Sequence, residues 1–69
     1  MKKLDLHGIK HDEVPNMVKR FIEDHWTDYG EQLEIITGHS PRMRLIAGTV
    51  LLDYKLKYVV KQASLIVEI

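Results

Sequence analysis

Leu4-Asp5-Leu6-His7-Gly8 and Ile35-Ile36-Thr37-Gly38-His39-Ser40 are built alike: an apolar strand, then a glycine, then helix-forming sequence directly behind. A chain that runs strand, helix, strand makes a right-handed crossover and lays its second strand parallel to the first. Parallel neighbours end on the same edge, and open α/β sheets bind ligands in the crevice off that edge. His7 and His39 therefore belong on one rim, although far apart in sequence.

The rest of the chain fits this unit. Lys3 to His7 alternates with period two, Leu4 and Leu6 on one face and Asp5 and His7 on the other. A first helix begins near His11 or Asp12, with Asp12 and Glu13 at its positive end and Pro15 in the first turn. Val14, Met17, Val18, Phe21, Ile22 and His25 form its buried stripe, with Trp26 and Tyr29 extending the flank and Gly30 as C-terminal cap. Gln32 to Thr37 is the second strand, with Leu33 and Ile35 facing the helices and Ile36 on the other side. Ser40-Pro41 opens a second helix, serine as N-cap and proline in the first helical position. Its apolar face is Met43, Ile46, Ala47, Val50, Leu51 and Tyr54. Gly48 costs this helix about 1 kcal/mol against alanine and implies close packing there. Lys57 to Gln62 and Ser64 to Ile69 are strands too close together for a crossover, so they form an antiparallel hairpin. The sequence predicts βαβαββ, an α/β two-layer sandwich with a mixed four-stranded sheet.

At 69 residues the chain is a single domain, residues 1–69, with a thin core. No cysteine is present, which fits a reducing compartment. Asp5 interrupts the N-terminus before any apolar run, and no stretch reaches the roughly 18 residues needed to span a bilayer, so a cytoplasmic protein without membrane contact is expected. Met1 ahead of a closed pattern predicts a self-contained chain. The net charge is zero but unevenly spread. Acids dominate from Asp12 to Glu31, and Arg42, Arg44, Lys55, Lys57 and Lys61 dominate from Ser40 onward. A basic patch on a neutral protein still holds a polyanion, more weakly as salt rises; the plain alternative is a solvated helix face.

Two groups of residues carry chemistry. Asp5 is placed to accept from one ring nitrogen of His7 and fix its tautomer, leaving the other nitrogen as general base or acid. Gly8 lets a backbone or phosphate approach closely. The structural alternative is a strand-end carboxylate that caps a nearby turn. Thr37-Gly38-His39-Ser40-Pro41 leads into a helix N-terminus, whose free amides and dipole attract anions. Arg42 and Arg44 oppose that dipole by roughly a few tenths of a kcal/mol each, a conflict that a bound phosphate removes and that solvent-facing arginine stems would tolerate. His25 reads as a core-edge histidine with a satisfied partner, and His11 as an exposed first-turn residue. Asp5, His7 and His39 lack the close spacing of a zinc site and the carboxylates of two-metal phosphoryl chemistry, so no structural metal is expected.

The two motifs together resemble the Smr (small MutS-related) domain, which pairs a strand-end Leu-Asp-Leu-His-Gly with a second strand ending in a Thr/His-Gly-x-Gly loop. The resemblance covers nearly the whole chain. It implies a fold like the C-terminal domain of translation initiation factor 3, and binding of branched DNA or RNA with nicking of DNA or cleavage of RNA. The motif positions fall on Asp5, His7 and Gly8, then Thr37 and Gly38, with Arg44 as the basic residue of the second helix. Ser40 stands where the loop has its second glycine, a departure that resembles a compact, phage-type subgroup. The Gly-rich turn usual before the last strand is reduced to Gln62-Ala63-Ser64.

Three expectations follow for function. In the first, the chain is an endonuclease: Asp5, His7 and His39 are catalytic, and Gly8, Thr37, Gly38, Ser40, Arg42 and Arg44 hold the nucleic acid. Two imidazoles beside a phosphate suit metal-free cleavage of RNA through its 2′-hydroxyl, whereas a hydrolytic DNA nick would recruit Mg²⁺. In the second, the chain binds structured nucleic acid without cutting it. In the third, it is a protein–protein interaction module.

Overall fold

A computed structural model describes residues 1–69. The elements are β1 (Lys2–Asp5), a 3₁₀ turn (His11–Glu13), α1 (Val14–Asp24), β2 (Gln32–Ile36), α2 (Pro41–Asp53), β3 (Tyr58–Lys61) and β4 (Ser64–Glu68). The order is the expected βαβαββ, and the sheet is mixed and four-stranded, arranged β1-β2-β4-β3. β1 and β2 are parallel, with Asp5 opposite Ile36, and β4 runs antiparallel to both β2 and β3.

β4 takes an inner place because its sequence suits one. Leu65 and Val67 are fully buried and face Ile35 and Leu33 of β2. β3 is left at the edge, with Val59 and Val60 exposed between Lys57 and Lys61, charges that discourage further pairing. One face of the sheet meets both helices, which also pack on each other. The core joins Leu6, Leu33, Ile35, Leu65 and Val67 from the sheet side to Val14, Val18, Phe21 and Ile22 of α1 and Met43, Ala47, Val50 and Leu51 of α2. Each fully buried Leu, Ile or Val side chain contributes about 1.5–3 kcal/mol. Gly48 is closely packed as expected: a Cβ there would overlap the Tyr58 hydroxyl and lie 2.9 Å from Cζ.

Three details depart from expectation. Residues His11–Glu13 form a 3₁₀ turn, and the α-helix proper starts at Val14, with Pro15 in its first turn. α1 ends at Asp24, capped by His25, so Gly30 is not its cap; it lies in the turn before β2, where its N–H donates to the Ile69 carbonyl at 3.0 Å. Tyr29 is 82% exposed and does not extend the apolar flank, while Trp26 packs edge-on against Tyr54 at 5.5 Å.

Candidate nucleic-acid interface

The strand tips lie side by side. The Leu6 N–H donates to the Ile36 carbonyl at 2.9 Å, carrying the β1–β2 ladder one residue past β1. The chain then turns, with the Ile9 N–H closing onto the Leu6 carbonyl at 3.0 Å and Gly8 in the left-handed region at φ +78°. A glycine is what the third position of such a turn accepts without strain.

The turn alters the expected part of Asp5. Its Oδ1 accepts the backbone N–H of His7 at 2.9 Å, and no bond or ion pair joins it to the imidazole. Because the chain leaves the strand after Leu6, His7 no longer alternates with Asp5, and the carboxylate takes the nearest unpaired amide two residues on. Asp5 thus shapes the loop that carries His7, and the imidazole stands exposed above it.

The second motif is organised by the β3–β4 hairpin. The N–H groups of Thr37 and Gly38 both donate to the Ala63 carbonyl, at 2.9 and 3.0 Å. The Thr37 hydroxyl donates to the Gly38 carbonyl at 2.9 Å and reaches the Ala63 carbonyl at 3.3 Å. Thr37 is 3% exposed. These two amides are therefore structural and not available to an anion. Ser40 caps α2 as expected, its Oγ accepting from the Met43 N–H at 3.1 Å. The amides of His39, Ser40 and Arg42 have no protein acceptor. They are the donors that the helix N-terminus offers to a ligand.

These loops enclose a cleft of about 430 Å³. Leu6, Ile9 and Met43 give it an apolar floor, and Gly8, Thr37, Gly38 and Ser40 also line it. His7, Lys10, His11 and His39 are its exposed side chains. Gly38, at φ +68°, and Gly8 both have open space where a Cβ would stand, so their surroundings admit close approach.

The structure therefore brings together His7, Gly8, Thr37, Gly38, His39 and Ser40. It sets Arg42 and Arg44 outside the cleft lining. Arg42 is exposed without a partner, while half-buried Arg44 reaches the β3–β4 turn, where Nη2 donates to the Gln62 carbonyl at 3.4 Å and Nε has no partner. Lys10 and His11 are cleft residues that the sequence reading did not place there. The signal was present: both stand just behind the first strand tip, in the stretch that must pass the rim to reach α1. His25 is the satisfied histidine expected, its Nδ1 2.9 Å from Asp28 Oδ2 and its ring edge-on to Phe21. No group of three His, Cys, Asp or Glu side chains is gathered in a way that could hold a metal ion.

The model of the Smr domain family matches residues 4–68, which span both motifs, both helices and the closing hairpin. The chain belongs to the Smr domain family. Smr domains are associated with nucleic acids, and the matched span contains every residue that lines the cleft. No curated protein and no solved structure matches this Smr domain. None of its helices is long and apolar enough to cross a membrane.

Proposed function

We propose that this Smr domain binds structured DNA or RNA in the cytoplasm, seating a backbone phosphate in the cleft between its two motif loops. The observation that carries the reading is the convergence of the unpaired His39 and Ser40 amides with the side chains of His7, Lys10, His11 and His39 around one opening. Amides at a helix N-terminus, the Lys10 ammonium, imidazole donors and an approach left open by Gly8 and Gly38 are what a phosphodiester requires. Arg42, beside the opening, adds a backbone contact; Arg44 strengthens binding indirectly by tying α2 to the hairpin turn that holds Thr37 and Gly38.

A second reading, phosphodiester cleavage, is favoured by His7 and His39 standing exposed on one cleft. On RNA, one imidazole would take the proton of the 2′-hydroxyl as its oxygen attacks phosphorus. The other would give a proton to the departing 5′-oxygen, leaving a 2′,3′-cyclic phosphate. Asp5 contributes by holding the His7 loop, not by orienting the ring. Mg²⁺-assisted nicking of DNA finds no gathered ligand set among these side chains.

Labelled hairpin RNA and branched DNA, titrated with the wild type and with His7→Ala, His39→Ala and Lys10→Ala variants, test both readings. Binding should weaken as salt rises, and Lys10→Ala should reduce the salt slope by about one counterion. Salt-independent binding that ignores Lys10→Ala would overturn the binding reading. Cleavage that survives in His7→Ala and His39→Ala, or is absent from the wild type, would overturn the second.

A further inference from the structure

The 3₁₀ turn His11–Glu13 separates two surfaces of opposite character. His11 faces the cleft, whereas Asp12 and Glu13 line a groove of about 440 Å³ between α1 and β1. Leu4, Met17 and Phe21 form its apolar part, and Asp24 extends the acidic rim beyond Asp12 and Glu13. No Lys or Arg side chain lies within ion-pair distance of a carboxylate, so these three carboxylates are unpaired, as is Arg20 on the same wall.

One side of this groove is an open strand edge. β1 ends the sheet and pairs only with β2. The Leu6 N–H points inward to Ile36, so by strand alternation Leu4 does the same, and the N–H and C=O groups of Lys3 and Asp5 point outward without partners. An unpaired ladder beside an apolar trough is the geometry on which extended peptides add as a strand.

We propose that this groove docks an extended basic segment of a partner protein as a fifth strand on β1. Of the side chains on the α1 side, central apolar ones would lie on Met17 and Phe21, and lysines or arginines at the two ends would reach Asp12 and Glu13 at the start of α1 and Asp24 at its end. The rim charge selects the occupant: unpaired carboxylates repel a polyanion, so nucleic acid is confined to the cleft and a cationic strand is favoured here. A second copy offers β1 and β3 as free edges: β1 against β1 sets two unpaired acidic rims beside each other, and β1 against β3 leaves a new open edge at each end, a growing chain of copies and not a closed assembly.

The test uses the whole chain and a synthetic lysine–valine peptide whose alternate positions read lysine, valine, valine, lysine, with serine between them. Amide NMR should show shifts at Lys3, Leu4, Asp5 and along α1, with slowed exchange of the Lys3 and Asp5 amides. A glutamate–valine peptide should not bind, and a lysine–serine peptide should bind about tenfold more weakly for want of apolar contact. Replacing Asp12→Asn, Glu13→Gln and Asp24→Asn together should weaken the lysine–valine peptide about tenfold. Hairpin RNA binding should not weaken in that variant, and an unchanged thermal transition would establish that it folds. The proposal is overturned if the peptide shifts only cleft residues, if the lysine–serine peptide binds equally, if no peptide binds, or if the same amides shift with protein concentration alone.

Discussion

Asp5 Oδ1 sits 2.9 Å from the backbone nitrogen of His7, and that bond fixes the loop on which the first motif is displayed. Asp5→Ala should release it, lowering stability by about 1 kcal/mol in chemical denaturation and broadening the amide signals of His7 and Gly8. Asp5→Asn retains an acceptor oxygen and should lose less than half as much. Equal losses from the two substitutions would mean that the carboxylate charge, not the turn bond, is what matters.

Thr37 holds the second loop by its hydroxyl as well as its backbone. Thr37→Val keeps the shape of the side chain but leaves the Gly38 carbonyl without that donor, at a cost of about 1 kcal/mol in urea denaturation. Amide exchange at Gly38 should quicken more than at Met43, whose Ser40 cap is unaffected. A uniform change across both sites would count against a local role for the hydroxyl.

Gly48 and Tyr58 form a tight contact, and two opposed effects meet there. Alanine at 48 gains about 1 kcal/mol of helix propensity, but overpacking against Tyr58 costs about 1–3 kcal/mol. Gly48→Ala should therefore be destabilising in the wild-type background. It should become less so, or stabilising, when combined with Tyr58→Phe, which removes the hydroxyl that the new methyl meets. A double-mutant cycle with no coupling would show that Tyr58 moves aside freely.

Tyr54 donates its hydroxyl to Glu23 Oε2 at 2.8 Å, joining the end of α2 to the end of α1. That hydrogen bond, reinforced by desolvation and by the Glu23 charge, raises the Tyr54 pKa above the ordinary tyrosine value of 10.0. Since the folded-state value is the higher one, the stabilisation is complete below pH 10 and is lost as pH rises through the raised value. Thermal melts of the wild type and Tyr54→Phe should differ at neutral pH and converge at strongly alkaline pH. A constant difference across the alkaline range would remove the linkage.

The architecture was readable from sequence because it follows from local pattern and chain handedness. The Leu4/Leu6 alternation, the Ser40-Pro41 start of α2 and the short spacing before Ser64 fix the elements, and the right-handed crossover then places β1 beside β2. Where the reading departed, a competitor distant in sequence decided the outcome. Nothing near Thr37 and Gly38 reveals that Ala63, 26 residues beyond Thr37, takes their amides. Arg44 obeys the same hairpin, through Gln62. Gly30 offered a plausible helix cap, but α1 stops earlier, and the glycine serves a turn tied to Ile69. Asp5 is the local exception: both its possible partners belong to His7, and the turn after Leu6 brings the backbone amide, not the ring, to the carboxylate.

The Ala63 carbonyl also dictates an order of assembly. A nascent chain halted before the final hairpin carries both motifs yet has nothing to clasp the second loop, and β2 lacks the neighbour that buries Leu33 and Ile35. The opening between the loops is thus completed only when β4 slides in beside β2, so a competent surface arises in one step with the closing hairpin and not by stages.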